Sequence, residues 1–166
     1  MPNTNLQFQK RSNKPPKVGD VFALMIPSKD YLFGRVVGAD LPSGGAPMPG
    51  SNLIYVYDVR ASSPQPDLDS LRPERLLIPP TYTNNMLWTR GYAVNQAHEV
   101  LDSSALLAQH CFAYMTIEGR FLDEKGSVVP QRTEPCGIWG LQSYRAIDDL
   151  LSDALGIPLV PIEPGD

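Results

Sequence analysis

The segment GDVFALMIPSKDYLFGRVVG, residues 19–38, restricts the possible folds of this chain more than any other feature. It contains two apolar runs, residues 21–26 and 32–37, separated by the polar turn PSKD. Short runs rich in β-branched and aromatic residues and bounded by turn residues are typical of paired β-strands. Because successive strand residues point to opposite faces, one face of the second strand carries Tyr31, Phe33, Arg35 and Val37. The segment therefore predicts a hairpin with an arginine inside an apolar face.

Further apolar runs between proline- and glycine-rich stretches predict more strands. They are LIYVYDVR (53–60), a short edge strand LLIPP (76–80), MLWTRGYAV (86–94), HCFAYMTIEG (110–119) and the hairpin RFLDEKGSVVP (120–130). Residues 39–52, which hold a glycine pair between prolines, are expected to form an exposed loop. Residues 98–109 fit either a turn or a short helix.

Near the C-terminus the apolar spacing becomes helical. One predicted face carries Tyr144, Ile147, Leu151, Ala154 and Leu155. The opposite, solvent-facing side is expected to carry Asp148, Ser152 and Asp153. Ser143 is a suitable N-cap and Gly156 a suitable C-terminal residue in the left-handed conformation. The fold class predicted from these patterns is α+β and mostly β: a twisted antiparallel sheet, open or barrel-like, with a C-terminal helix.

The length of 166 residues fits one domain. We expect residues 1–16, which end in two prolines, to be a flexible basic tail that is dispensable for folding, and residues 17–166 to be a single domain. No run of about 18 apolar residues and no signal-peptide pattern is found, which predicts a cytoplasmic protein without a membrane span. In that compartment Cys111 and Cys136 are expected to be free thiols.

Charge is distributed unevenly along the chain. The first 17 residues carry four basic side chains and no acidic one, so the remaining 10 basic and 18 acidic side chains give the rest a net charge of −8. An acidic body disfavours nucleic acid as a ligand, because such binding depends on neutralising phosphates. It is compatible with a basic protein partner, or with solubility alone.

The sequence contains no convincing catalytic or metal-binding pattern. His110 and Cys111 are neighbours on a predicted strand and would point to opposite faces, and a zinc site would need both histidines and both cysteines at unfavourable spacings. His98 and Glu99 lack the second histidine of a zinc-protease helix. We therefore expect no catalytic residue, no metal and no cofactor.

The aromatic and arginine residues are more informative. Trp88 and Trp139 are of the type that dominates protein interfaces, although core positions are the commoner role of tryptophan in a small β domain. Arg35 and Arg90 lie within apolar stretches and must be exposed or paired with a carboxylate. The nearby acidic candidates are Asp20, Asp58 and Glu118.

The order KVGDVFALMI, YLFGRVVG, IYVYD and NMLWTRGY resembles the immunity protein 26 family of bacterial polymorphic-toxin immunity proteins. The resemblance is good over residues 17–92 and looser beyond them. It implies binding and neutralisation of a cognate toxin, such as a basic nuclease, and no catalysis. Two alternatives stay open: an interaction module unrelated to toxins, and a barrel-type ribonuclease with a similar opening. The predicted toxin-binding residues are Asp148, Asp153, Arg90 and Tyr92.

Overall fold

The fold is described by a computed structural model that covers residues 3–164. Within these residues the chain forms ten β-strands and two α-helices. The strands are β1 (Asp20–Met25), β2 (Tyr31–Leu41), β3 (Ser51–Ala61), β4 (Leu76–Thr83), β5 (Ala93–His98), β6 (Cys111–Ala113), β7 (Phe121–Leu122), β8 (Val128–Val129), β9 (Cys136–Ile138) and β10 (Leu141–Gln142). The helices are α1 (Met86–Thr89) and α2 (Tyr144–Leu155).

The strands form two sheets. The larger has the order β10-β4-β3-β2-β1-β5 and the smaller the order β8-β7-β6-β9. Pairing is antiparallel except between β10 and β4 and between β6 and β9, which are parallel. The predicted α+β, mostly β class with a C-terminal helix is confirmed, and both sheets are open rather than closed into a barrel.

The predicted hairpin is present as β1 and β2, with Val21 opposite Arg35 and Met25 opposite Tyr31. One face of the hairpin packs into a core with Trp88 and α2, and the other packs around Tyr55 and Tyr57. Phe22 lies opposite Gly34, and a Cβ added there would come within 2.2 Å of the Phe22 ring. The glycine that interrupts the strand therefore makes room for a buried phenylalanine.

Three strand predictions in the middle of the chain are wrong or only partly right. β4 is longer than the predicted edge strand and lies between β3 and β10. Its prolines, Pro79 and Pro80, fall where the register with β3 shifts and before β10 begins to pair at Tyr82. Their missing N–H groups therefore interrupt no regular ladder.

Residues 86–94 were predicted as one strand, but they form α1, a turn and the start of β5. The Asn84 side chain accepts a hydrogen bond from the Met86 N–H (2.9 Å), and Gly91 has a φ of 88°. A left-handed glycine ends the helical turn and redirects the chain into β5. Of the predicted strand 110–119, only β6 forms, whereas the hairpin of β7 and β8 is confirmed.

The N-terminal residues are docked on the fold, which contradicts their prediction as a flexible tail. Gln7 pairs with Met25, the Gln9 and Lys10 N–H groups donate to the Gly91 carbonyl, and Leu6 is buried in the core. We call residues 4–12 the N-terminal strap. The basic composition of residues 1–16 and their two final prolines concealed one buried apolar side chain and several backbone hydrogen bonds. Residues 1 and 2 of the predicted tail lie outside the described residues.

Candidate functional site

Arg35 is a buried charged residue on β2, in the larger sheet. Its side chain is 2 % exposed. Its Nε donates to the Tyr57 hydroxyl (3.2 Å) and its Nη1 to the Glu99 carboxylate (3.1 Å). Of the two predicted alternatives, exposure or a carboxylate partner, Arg35 has the partner. That partner is Glu99, which was not among the three acidic candidates. Glu99 follows β5, and its side chain reaches Arg35 on β2 across the intervening strand β1.

A polar cavity of about 210 Å³ opens above this arginine. Its charged lining residues are Arg35, Arg72, Asp69, Glu99 and Asp102, so two guanidinium groups and three carboxylates give a net charge of −1. We call it the Arg35 cavity. A polar cavity with fixed charges at its floor and rim can hold a polar or charged side chain of a partner.

Short turns of 3-10 helix build two walls of the Arg35 cavity. They lie at Leu68–Ser70 and Ser103–Ala105, and each is capped by an aspartate, Asp67 or Asp102, that accepts a backbone N–H. The Asp102 carboxylate accepts hydrogen bonds from the Ser104 hydroxyl and from the Ser104 backbone N–H, and these bonds lower its pKa. The carboxylate therefore stays ionised at the rim.

At the floor, burial raises the pKa of the Tyr57 hydroxyl, although the charge of Arg35 opposes this shift. Tyr57 therefore remains a neutral partner for the guanidinium near neutral pH. The lining also contains the Ser104 hydroxyl, which donates a hydrogen bond to Asp102. The cavity therefore presents fixed charges that can bind a polar group.

Two predicted site residues meet at the first residue of α2. The Arg90 guanidinium carbon lies 4.8 Å from the centre of the Tyr144 ring, and the Tyr92 ring stacks on Tyr144 with centroids 5.7 Å apart. Arg90 is exposed and Tyr92 half-buried. We call these three residues the aromatic platform. Arginine and tyrosine are enriched among the residues that contribute most binding energy at protein interfaces, and an arginine over a tyrosine ring gains a cation–π interaction.

The other two predicted residues have different environments. Asp153 is exposed on α2, as expected. Asp148 is only 2 % exposed, and its carboxylate accepts hydrogen bonds from the backbone N–H groups of Asn5 (3.0 Å) and Leu6 (2.7 Å). The prediction that Asp148 faces solvent is wrong, because the N-terminal strap covers that side of the helix. Ser152, predicted on the same side, is also buried beneath the strap and bonds to Asn5.

The remaining candidates are structural. Trp88 is a core residue, and its Nε1 donates to Asn95 (2.9 Å). Trp139 is half-buried against Tyr82. Cys111 and Cys136 are free thiols. Residues 3–164 contain no group of three or more His, Cys, Asp or Glu side chains arranged to hold a metal ion.

The rim carboxylates were not identified from the sequence. These carboxylates belong to short turns and connections: Asp69, Glu99 and Asp102. Such segments show no helical or strand periodicity in the sequence, so their positions in the fold could not be predicted. The one indication was indirect: an arginine inside an apolar strand requires a carboxylate, and Glu99 and Asp102 flank the apolar pair at residues 100–101.

The chain is thus a mostly-β domain with an open polar cavity and an exposed arginine beside stacked tyrosine rings. More specifically, a family model described as Immunity protein 26 matches residues 17–111, more than half of the chain, and the chain belongs to this family. No curated protein and no solved structure matches it.

The matched residues include the whole lining of the Arg35 cavity, together with Arg90 and Tyr92. The N-terminal strap and α2 lie outside the match. In the part of the chain that the structure describes, no helix is long and apolar enough to cross a membrane.

Proposed function

We propose that this protein is an immunity protein that binds a cognate toxin domain in the cytoplasm and neutralises it without catalysis. The family supports this role. The observation that carries the proposal is the Arg35 cavity, which lies entirely within the matched residues and offers fixed charges at an open surface. Binding blocks the toxin's active site or the surface that binds its substrate or partner.

The rim of the cavity favours a basic toxin, such as a nuclease. Asp69 and Asp102 are exposed, and the chain as a whole carries a net charge of −4. A negative rim accelerates the approach of a basic partner, and this steering weakens with salt. An interface of the standard size buries about 800 Å² on each partner, which is much more than one cavity provides.

The aromatic platform and Asp153 are the second proposed contact region. Arg90 and the two tyrosines are pre-ordered by their mutual stacking, so binding to them costs little side-chain entropy. Asp148 is not part of this contact region, because its oxygens are occupied by the strap.

We predict that a toxin gene lies beside the gene for this protein, and the test uses the toxin domain that this neighbouring gene encodes. Coexpression is expected to restore growth of cells that produce the toxin, and the two purified proteins are expected to form a complex. Failure of both results would reject the immunity function. The purified protein alone is expected to show no hydrolysis of RNA, peptide or ester substrates.

Charge reversal then locates the contact. Asp69→Lys is expected to slow association about tenfold at low salt and to reduce its salt dependence. Glu118→Lys is the matched control, because Glu118 is also exposed, lies outside the cavity lining and gives the same change in net charge. Equal association rates for the two variants would exclude the cavity rim.

The platform is tested through dissociation. Arg90→Ala is expected to accelerate dissociation by about tenfold or more, the typical effect of losing a hot-spot arginine. A wild-type dissociation rate in this variant would place the second contact elsewhere.

A further inference from the structure

The two cysteines are direct neighbours across the smaller sheet. Cys111 on β6 is the register partner of Cys136 on β9, and their sulfur atoms are 2.8 Å apart. Register partners on adjacent strands project to the same side of a sheet, and neighbouring strands are about 4.8 Å apart. This spacing lies within the Cα separation of about 4.4–6.8 Å that disulfides require.

The strands that carry them are short. β6 and β9 have three residues each, and β7 and β8 have two each. Few backbone hydrogen bonds therefore hold this sheet together. A disulfide between the two cysteines would link β9 covalently to β6 at Cys111, the last residue of the family match. The segments that follow β9, namely β10 and α2, would then be anchored to the matched part of the chain.

A small cavity gives access to Cys136, but Cys111 does not line it. It has a volume of about 140 Å³ and is lined mainly by the β4 prolines, residues 136–138 and Leu150. Cys136 is 8 % exposed, whereas Cys111 is 0 % exposed. Burial and the adjacent Cys111 raise the pKa of the Cys136 thiol to about 12, so thiolate is scarce near neutral pH. Oxidation in the folded protein is therefore slow, and a bridge once formed is shielded from external thiols.

We infer that Cys111 and Cys136 form a reversible intrachain disulfide when the protein meets a small-molecule disulfide such as oxidised glutathione. The accessible Cys136 thiolate attacks the glutathione disulfide, forming a mixed disulfide and releasing one glutathione. The Cys111 thiolate then attacks Cys136 and releases the second. The two protein thiols are oxidised, one glutathione disulfide is reduced, and the two thiol protons pass through solvent to the two glutathione thiolates.

The experiment compares full-length protein after long incubation with oxidised glutathione and after reduction. Oxidised protein is expected to lose two hydrogen atoms by intact mass, to show no thiol when assayed in denaturant, and to run as a single chain on a non-reducing denaturing gel. Its melting temperature is expected to rise by about 5–10 °C, because the bridge closes a loop of about 25 residues in the unfolded chain. Reduction should reverse all these changes.

Cys111→Ser and Cys136→Ser are the controls, and neither should show an oxidant-dependent rise in melting temperature. Two thiols that persist in the wild type, a glutathione adduct that accumulates, or a bridge between two molecules would each overturn the inference. These three outcomes are measured on the wild type alone, so the inference remains falsifiable even if a serine variant fails to fold.

Discussion

Asp148→Ala tests whether the N-terminal strap is part of the folded domain. The Asp148 carboxylate is buried and accepts hydrogen bonds from the Asn5 and Leu6 N–H groups, at 3.0 and 2.7 Å. The alanine variant leaves both donors without this acceptor, the Leu6 N–H in a buried position and the Asn5 N–H in a half-buried one. The expected result is a less stable protein whose strap opens more often.

The magnitude follows from two opposing effects. Each hydrogen bond to a charged group contributes about 1.5–3 kcal/mol, so two lost bonds set an upper value of about 3–6 kcal/mol. Burial raises the pKa of Asp148, which means that the ionised carboxylate is itself costly in this position, and alanine removes that cost. The strap can also open and return its N–H groups to water. We therefore expect a loss of about 2–4 kcal/mol, or roughly 5–15 °C in melting temperature.

Urea unfolding measures the loss, and hydrogen exchange at Asn5 and Leu6 shows whether the strap opens. Asp148→Asn, which keeps one acceptor oxygen, is expected to lose about half as much. Asp153→Ala is the matched control, because Asp153 is exposed on the same helix and should change stability by less than about 0.5 kcal/mol. If Asp148→Ala and Asp153→Ala unfold at the same urea concentration, the strap contacts do not stabilise the fold.

Three further predictions concern the core. A chain that begins at Lys17 is expected to melt more than about 10 °C below the full chain, because it lacks the buried Leu6 side chain and the two N–H groups that donate to Asp148. A drop of only a few degrees would support the prediction of a flexible tail. Burial lowers the pKa of His110 in the folded protein, so the protein is expected to lose stability as the pH falls below the unfolded-state pKa of about 6.5. Urea unfolding should show a smaller loss of stability at low pH in His110→Gln. The same pH profile in this variant and in the wild type would contradict the role of His110. Gly34→Ala is expected to lower the free energy of unfolding by about 3 kcal/mol or more, because the new Cβ would overlap the Phe22 ring. A melting temperature close to that of the wild type would show that the ring can move away without loss of stability.

The local elements were predictable wherever neighbouring residues alone decide the conformation. The hairpin follows from two apolar runs and a turn. The boundaries of α2 follow from Ser143, whose hydroxyl accepts the Ala146 N–H, and from Gly156, whose φ is 71°. These interactions span four residues or fewer, so the sequence contains both partners within one short window.

The failures have a common physical origin in contacts between distant segments. Asp148 occupies a helix position that is polar by periodicity, but a segment more than 140 residues away covers it. Arg35 required a carboxylate, and the sequence could not indicate which one, because Glu99 is brought close by the β1–β5 pairing. The aromatic platform was identified by residue type, and its assembly on Tyr144 depends on the packing of α2.

The hydrogen bond between the Asn5 side chain and the Pro158 carbonyl, 2.8 Å long, makes the polypeptide path nearly a closed ring. A short linker between residues near these two positions would complete the ring without disturbing the strap or α2. New chain ends could then be placed in the exposed loop around residues 43–45, which joins β2 to β3. Such a circular permutant would keep the native packing, and the strap would leave the ribosome after strands β3 to β10 and α2 instead of before them.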